Sequence, residues 1–208
     1  MEEPVIPKNL FGEAVIQPFP DLTDGEIDTT LFLQSSRGVV RIVEAFGQPF
    51  MPVQRDISQN IKTLQEIFNQ NPRDNITIDK MISRERSLNE HSAGQALLWL
   101  MRGLQYFHRF LTLVVNDFRE GYPTEDLIGF ARQAYDETLF YHHSWLARQL
   151  FQVLCRFCPT RSVLTLKLVI DRDQHTYADH HRQLMLDIDR YLISLGATID
   201  HINGFCLG

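Results

Sequence analysis

The chain has 208 residues, which suits one large domain with its own hydrophobic core. Its 20 Lys and Arg against 26 Asp and Glu give a formal charge of −6, and this balance argues against a nucleic-acid partner and against strong attraction to an anionic membrane. With 44% hydrophobic and 22% charged residues, the composition is that of a folded globular protein. Three cysteines, no leader pattern and no uninterrupted apolar run of bilayer length predict a cytoplasmic location.

The N-terminal region differs in pattern from the rest of the chain. Residues 1–22 contain four prolines and no helical period, which predicts an extended arm, and residues 23–208 form the single predicted domain. Thr23 and Glu26 have the spacing of a helix capping box. Apolar residues at helical spacing then predict a first helix over 27–46.

Helical periodicity continues to the C-terminus. It predicts further helices at about 53–68, 77–84, 87–118, 124–157 with a break near 142–144, 159–170 and 176–202. Ser87 and Glu90 form a second apparent capping box, and Thr124 suits a helix N-terminus. No segment shows the alternation of a β-strand, so the sequence predicts an all-α domain of seven or eight helices.

Two groups of residues are of types that bind metals. Cys155 and Cys158 are separated by two residues, and 16 residues lie between Cys158 and His175, but that gap is too long for a zinc finger and the βαβ context of a redox motif is absent. We interpret both cysteines as buried helical residues. Asp171, His175 and Asp179 recur every four residues, and a solvated helix start explains them better than metal binding or acid–base chemistry. We therefore predict no metal, no cofactor, no catalytic residue and no enzymatic activity.

Asp56 and Asn60 lie one helical turn apart, next to the apolar stripe formed by Ile57, Ile61 and Leu64. A carboxylate and an amide at the edge of an apolar face can bind the hydroxyl and amide groups of a ligand whose apolar part lies in the core. A helix N-terminal Asp beside a surface Asn explains the same pattern without any ligand.

Three further residues allow both structural and functional interpretations. Trp99, within the predicted central helix, is either a core residue or a platform for stacking a sugar. His143 is either a core histidine or a hydrogen-bond donor to a ligand carbonyl. Trp145 is either part of the core or an anchor at a membrane interface.

Taken together, the segments from about residue 27 to residue 202 resemble the glycolipid transfer protein family. The resemblance depends on four short motifs and their order: Pro52…Asp56-Ile57-Ser58-x-Asn60-Ile61, Leu98-Trp99-Leu100-x-Arg102-Gly103-Leu104, Ala134-Tyr135…His143-x-Trp145, and Ala197-Thr198-Ile199-Asp200. The resemblance implies a two-layer helical sandwich of about eight helices that encloses an apolar lipid pocket. It also implies a non-enzymatic monomeric carrier or sensor of glycosphingolipids, with transient membrane contact.

The resemblance also implies a role for each motif residue. Asp56 would bind the sphingosine amide and a sugar hydroxyl, and Asn60 would bind the first sugar. Trp99 would stack under that sugar, and His143 would donate to the acyl carbonyl. Trp145 would contact the membrane.

The sequence departs from the glycolipid-binding pattern next to Asn60. The family's lysine is expected three positions later, where Thr63 stands, and Lys62 precedes it. A branch of the family binds phosphate headgroups through arginines at the positions of Trp99 and Gln95. Lys62, Thr63 and Gln95 are therefore further headgroup candidates. The alternatives are a carrier of ceramide-1-phosphate or another modified ceramide, and a helical protein-interaction module without a working pocket.

Overall fold

Eight α-helices make up most of the computed structural model, which describes residues 6–207, with side chains as far as Phe205. The helices are α1 Thr29–Phe46, α2 Met51–Gln70, α3 Ile78–Ser87, α4 Ser92–Arg119, α5 Ile128–Thr138, α6 Trp145–Cys155, α7 Arg161–Leu168 and α8 Tyr177–Leu207. The described residues form three isolated backbone bridges and no β-strand. The all-α prediction is confirmed, and the predicted break between α5 and α6 is present as a short 3-10 turn.

The longest apolar segment of the sequence forms the centre of the fold. Helix α4 packs against α2, α3, α5 and α8, while α1 packs on α2 and α7. Leu97, Leu100, Leu104 and Phe110 of α4 are completely buried. The helices thus form a two-layer sandwich with its core around α4, as the apolar character of that helix on nearly every face predicts.

The described part of the predicted arm lies against the helices without forming a helix itself. Phe11 and Ile16 are buried, and Asn9 donates from its Nδ2 to the buried carboxylate of Asp187 on α8 over 2.8 Å. The backbone N–H of residue 10 donates to the carbonyl of Leu168 over 2.9 Å. The arm therefore covers part of the core between α1, α7 and α8. Residues 1–5 of the predicted arm lie outside the described residues.

The predicted capping box at Thr23 and Glu26 is wrong. Each of these residues donates its backbone N–H to the carbonyl of the other over 3.0 Å. Asp24 and Gly25 close this tight turn with φ angles of 54° and 78°, a conformation that Asp and Gly tolerate best. Helix α1 begins after Asp28, whose carboxylate accepts a hydrogen bond from an amide of the first turn.

The predicted capping box at Ser87 and Glu90 is also wrong. Ser87 is the last residue of α3, and the buried carboxylate of Glu85 caps α4 instead. It accepts hydrogen bonds from the backbone N–H groups of Ala93 and Gly94, the latter over 2.6 Å. The first N–H groups of α4, which have no partner within that helix, are thus hydrogen-bonded to a side chain of the preceding helix.

A buried ion pair fixes the connection between α4 and α5. The guanidinium of Arg161 lies 2.5 Å from the carboxylate of Asp117 and donates over 2.7 Å to the carbonyl of Thr124. The backbone N–H of Thr124 donates to the same carboxylate over 2.8 Å. Thr124 therefore belongs to this network and does not begin a helix. Helix α5 starts at Ile128, whose backbone N–H donates to the carboxylate of Asp126.

Candidate functional site

Asp56 and Asn60 lie on α2 as the sequence predicts. Ile57, Ile61 and Leu64 are buried, so the stripe fixes the rotation of the helix and leaves Asp56 exposed and Asn60 half-buried at its edge. Asn60 donates from Nδ2 to the backbone carbonyl of Asp56 over 3.0 Å, so its Oδ1 and a second N–H stay available for a ligand. Partial desolvation raises the pKa of Asp56 above its ordinary value.

Trp99 occupies the facing surface of α4. Its side chain is half-buried, and its indole is stacked with the ring of His143 at a centroid distance of 6.2 Å and an angle of 29°. The guanidinium carbon of Arg102, three residues later on the same helix, lies 4.6 Å from the centroid of the indole. This cation–π contact stabilises the orientation of the ring. An indole held in this way offers a flat apolar surface to a ligand.

His143 lies in the segment between α5 and α6. Its Nδ1 is 3.0 Å from the hydroxyl of Tyr135, and its backbone carbonyl accepts a hydrogen bond of 3.1 Å from Arg148. Burial lowers the pKa of His143 below its ordinary value of 6.5, and the charge of Asp56 opposes this effect. The same attraction lowers the pKa of Asp56, in part offsetting its desolvation. Asp56, Trp99 and His143 therefore meet at one site, although they come from three separate segments.

The three further headgroup candidates differ in position. Lys62 lines a groove between α1 and α2, and its Nζ lies 3.7 Å from the carboxylate of Glu66. It is two residues beyond Asn60, which on a helix is a rotation of roughly 200°. Thr63 is half-buried and lies on the same side of α2 as Asn60, at a rotation of about 60°. Gln95 is exposed on α4, one turn before the indole.

Trp145, at the first position of α6, is 73% exposed and so does not belong to the core. It is one of a group of exposed apolar side chains on and around α6, together with Tyr141, Leu146, Leu150, Val153 and Phe157. Leu146, Leu150 and Val153 recur at intervals of four and three along α6 and therefore share one helix face, and Phe157 follows in the turn after the helix. No helix within the described residues is long and apolar enough to cross a bilayer.

The structure gives a place in the site to two residues that the sequence analysis named as motif positions without assigning them a role. Arg102 contacts Trp99, and the spacing of three residues on one helix was a signal that could have found it. Tyr135 is completely buried on α5, where its ring is stacked on Phe151 at a centroid distance of 3.7 Å. Its hydrogen bond to His143 depends on how the chain turns after α5, which no sequence pattern indicates.

The two cysteines are not arranged for metal or redox chemistry. Cys155 ends α6 and is buried, as predicted, whereas Cys158 is half-buried beyond the helix, so its predicted helical position is wrong. Burial raises the pKa of the Cys155 thiol, and it raises that of Cys158 to about 12, which disfavours the reactive thiolate. Among the described residues, no group of three His, Cys, Asp or Glu side chains is placed to hold a metal ion.

The interpretation of Asp171, His175 and Asp179 as a solvated helix start holds only for Asp179. The first two precede α8 and lie in a turn, and Asp171 is largely buried rather than solvated. Its carboxylate lies 3.7 Å from Nε2 of His175 and 3.6 Å from Nδ1 of the buried His180. It also accepts a hydrogen bond of 2.9 Å from the backbone N–H of Lys8. These contacts join the α7–α8 connection to the arm.

Comparison with known families decides what kind of protein carries this site. The family model for the glycolipid transfer protein (GLTP) matches residues 27–169. The chain belongs to the glycolipid transfer protein family. Pleckstrin homology domain-containing family A member 8 of Canis lupus familiaris is 31% identical over 176 residues, which are 82% of this chain and 33% of that protein. The same protein of Homo sapiens is 30% identical over 176 residues, with the same coverage of both chains. The chain thus spans about a third of the length of these curated relatives.

Solved structures share the fold of this family member. The GLTP fold of FAPP2, studied for how it selects simple glycosphingolipids, aligns with a TM-score of 0.82 and 26% identity over 95% of this chain and 90% of that one. HET-C2, a fungal glycolipid transfer protein, aligns with a TM-score of 0.75 and 24% identity, covering 97% and 94%. Mouse ceramide-1-phosphate transfer protein also aligns with a TM-score of 0.75, at 19% identity and 94% coverage of both chains. The predicted family and fold are confirmed, and the family consists of lipid transfer proteins rather than enzymes.

Proposed function

We propose that this family member is a non-enzymatic carrier or sensor of glycosphingolipids. The observation that carries the proposal is the meeting of a carboxylate, an indole and an imidazole at one site, from Asp56, Trp99 and His143. The indole stacks under the first sugar, and the carboxylate accepts hydrogen bonds from the ceramide amide and a sugar hydroxyl. Asn60 adds an amide for the sugar, and the imidazole donates to the acyl carbonyl.

The two hydrocarbon chains of the lipid need an apolar enclosure. Exposing ~30 methylenes to water costs about 24 kcal/mol at ~0.8 kcal/mol each, far more than a few hydrogen bonds offset. Phe140 and Phe151 contact Tyr135 and pack against the core, so the polar site borders directly on the apolar interior. We place the chains in a pocket between the helical layers that opens beside His143. The polar residues then select the headgroup, while the pocket supplies most of the affinity.

The side chains of the site favour a neutral sugar over a phosphate. Asn60, Gln95 and Trp99 are uncharged, whereas a buried phosphate requires paired cationic donors.

One observation favours the second candidate, ceramide-1-phosphate. Arg102 stands at the edge of the site, and within the described part of the chain it forms no ion pair with a carboxylate. A phosphate requires two cationic side chains that bind it together, whereas the site offers a single guanidinium that is already stacked on an indole.

Contact with the membrane is proposed for Trp145 and its apolar neighbours on α6. Trp and exposed aliphatic side chains partition into the interfacial region of a bilayer without requiring charge. The formal charge of −6 supplies no general attraction to anionic lipids. Such a contact is weak enough to be transient, as a carrier that must leave the membrane requires.

The site assignment is tested by transfer of fluorescent glucosylceramide between two vesicle populations. Trp99→Ala and Asp56→Val should each reduce transfer to near the background rate while circular dichroism shows unchanged helix content, because one loses the stacking surface and the other the charged acceptor. Asp173→Val, which removes an exposed carboxylate from the turn before α8, is the matched control and should transfer normally. Transfer at the wild-type rate by either folded site variant contradicts the assignment.

The choice of ligand is tested separately, with the wild-type protein. Donor vesicles contain equal amounts of glucosylceramide and ceramide-1-phosphate, and the transfer of each is followed. We expect preferential transfer of the sugar lipid. Preference for the phosphate lipid would establish the second candidate instead. Transfer of neither lipid, with no ceramide lipid co-purified, would favour the protein-interaction module without a working pocket.

A further inference from the structure

The hydroxyl of Tyr135 is held rigidly against His143. The tyrosine is fully buried, its ring lies parallel to that of Phe151 within 10° at 3.7 Å, and the edge of its ring meets Phe140. With the ring fixed on both sides, the hydroxyl oxygen has one position, 3.0 Å from Nδ1 of the imidazole. Aromatic packing therefore determines which atom of His143 is hydrogen-bonded.

The direction of this hydrogen bond follows from the available donors and acceptors. A neutral imidazole carries one proton, on either Nδ1 or Nε2, and the other nitrogen is an acceptor. If Nδ1 carried the proton, it would donate to Tyr135, and the buried hydroxyl proton would be left without an acceptor among the described residues. If the hydroxyl donates to Nδ1 of His143, both groups are satisfied. An unsatisfied buried donor is costly, so the second arrangement is favoured.

The charge of Asp56 favours the same protonation of the His143 ring. Burial lowers the pKa of His143, so at neutral pH the ring is uncharged and carries a single proton. The charge of Asp56 counteracts that lowering, which places its carboxylate within electrostatic reach of the imidazole. A carboxylate attracts an N–H and repels a nitrogen lone pair. Since Tyr135 already occupies Nδ1, Nε2 is the ring nitrogen that remains available to Asp56 or to a ligand.

We infer that Tyr135 is a positioning residue whose hydroxyl donates to Nδ1 of His143 and thereby fixes the imidazole as the Nε2–H tautomer. The ring then offers one N–H donor, in a fixed direction, to an acceptor on the ligand. A carbonyl oxygen such as that of the ceramide amide matches this donor. The identity of that acceptor rests on the proposed function, whereas the tautomer is a property of the protein alone.

The tautomer is measured directly on protein with ¹⁵N-labelled histidine. Long-range ¹H–¹⁵N correlation spectra distinguish a protonated from an unprotonated ring nitrogen, and the signals of His143 are assigned by their absence from the spectrum of His143→Gln. At a pH well above the ordinary histidine value of about 6.5, we expect a protonated Nε2 and an unprotonated Nδ1. A protonated Nδ1 in the wild-type protein would overturn the inference whatever any variant does.

Two tyrosine variants test the role of the hydroxyl. Tyr135→Phe keeps the aromatic packing but should give His143 signals averaged between both tautomers, and glucosylceramide transfer should fall about fivefold, as for one lost hydrogen bond. Tyr191→Phe is the matched control because its hydroxyl is also buried but has no hydrogen-bond partner in the described structure, and it should change neither measurement. An unchanged His143 tautomer in Tyr135→Phe refutes the positioning role. Absence of lipid transfer by a wild type with the expected tautomer would refute the proposed function instead.

Discussion

Replacing Trp145 by alanine should weaken binding to vesicles and leave the fold nearly as stable as before. The side chain is 73% exposed at the start of α6, so the folded protein gains little from packing it. Its exposed position next to Leu146 and Leu150 makes it available to a bilayer instead. The two effects of one substitution can therefore be separated by measurement.

The expected sizes follow from the exposed area. A tryptophan has a surface of roughly 200 Å², and the exposed fraction of 73% leaves ~150 Å² for membrane contact. Complete burial of that area is worth about 4 kcal/mol at ~25 cal/mol per Å². If the interface covers half of the ring, the loss is about 2 kcal/mol, or roughly 30-fold in the partition coefficient. The free energy of unfolding should change by less than about 0.5 kcal/mol, as for other exposed substitutions.

The assay is sedimentation with neutral phosphatidylcholine vesicles, accompanied by urea unfolding of the same samples. Ile193→Ala is the matched control because Ile193 is also 73% exposed but lies on α8, away from the apolar group around α6. We expect it to change partitioning by less than about threefold. Equal losses of binding in the two variants would mean that general surface hydrophobicity, and not the α6 face, determines membrane contact. Unchanged partitioning of Trp145→Ala with a large loss of stability would refute the reasoning entirely.

Two further predictions concern stability and pH. Asp117→Ala leaves the buried guanidinium of Arg161 without its counter-charge and should lower the free energy of unfolding by about 3–5 kcal/mol in urea, whereas Asp189→Ala removes an exposed ion pair and should cost less than about 1 kcal/mol. Similar losses would contradict the importance of burial. An NMR titration should give His143 a pKa below 6.5, and Asp56→Asn should lower it further because the attraction of the carboxylate is gone. Since the unfolded state binds this proton first, the contribution of His143 to stability is complete above pH 6.5 and is lost as the pH falls through the lowered pKa. An unchanged pKa of His143 in the variant would show that the two groups do not interact.

Local patterns in the sequence determined most of the helices of this protein. Apolar spacing along α2 identified its buried stripe, and the end of the first helix at residue 46 and the break near 142–144 were visible as changes in pattern. The errors occurred at helix starts, where the capping group is not always the nearest polar residue. Glu85 caps α4 from the preceding helix, eight residues before Ala93, and no local rule selects it over Glu90. Periodicity is a property of neighbouring residues, so it fixes helices better than it fixes their ends.

The candidate site shows what only the tertiary structure decides. The sequence singled out Asp56, Trp99 and His143 through short motifs and a family resemblance, and helical periodicity placed Asp56 at the edge of an apolar face. It did not show that the third would stack on Trp99, or that the hydroxyl of Tyr135 would reach Nδ1. Those contacts arise because α2 and α5 both pack on α4, which brings together residues more than 40 positions apart. A helical pattern states which face of each helix is buried, whereas the choice of the facing helix depends on how all the side chains of the core fit together.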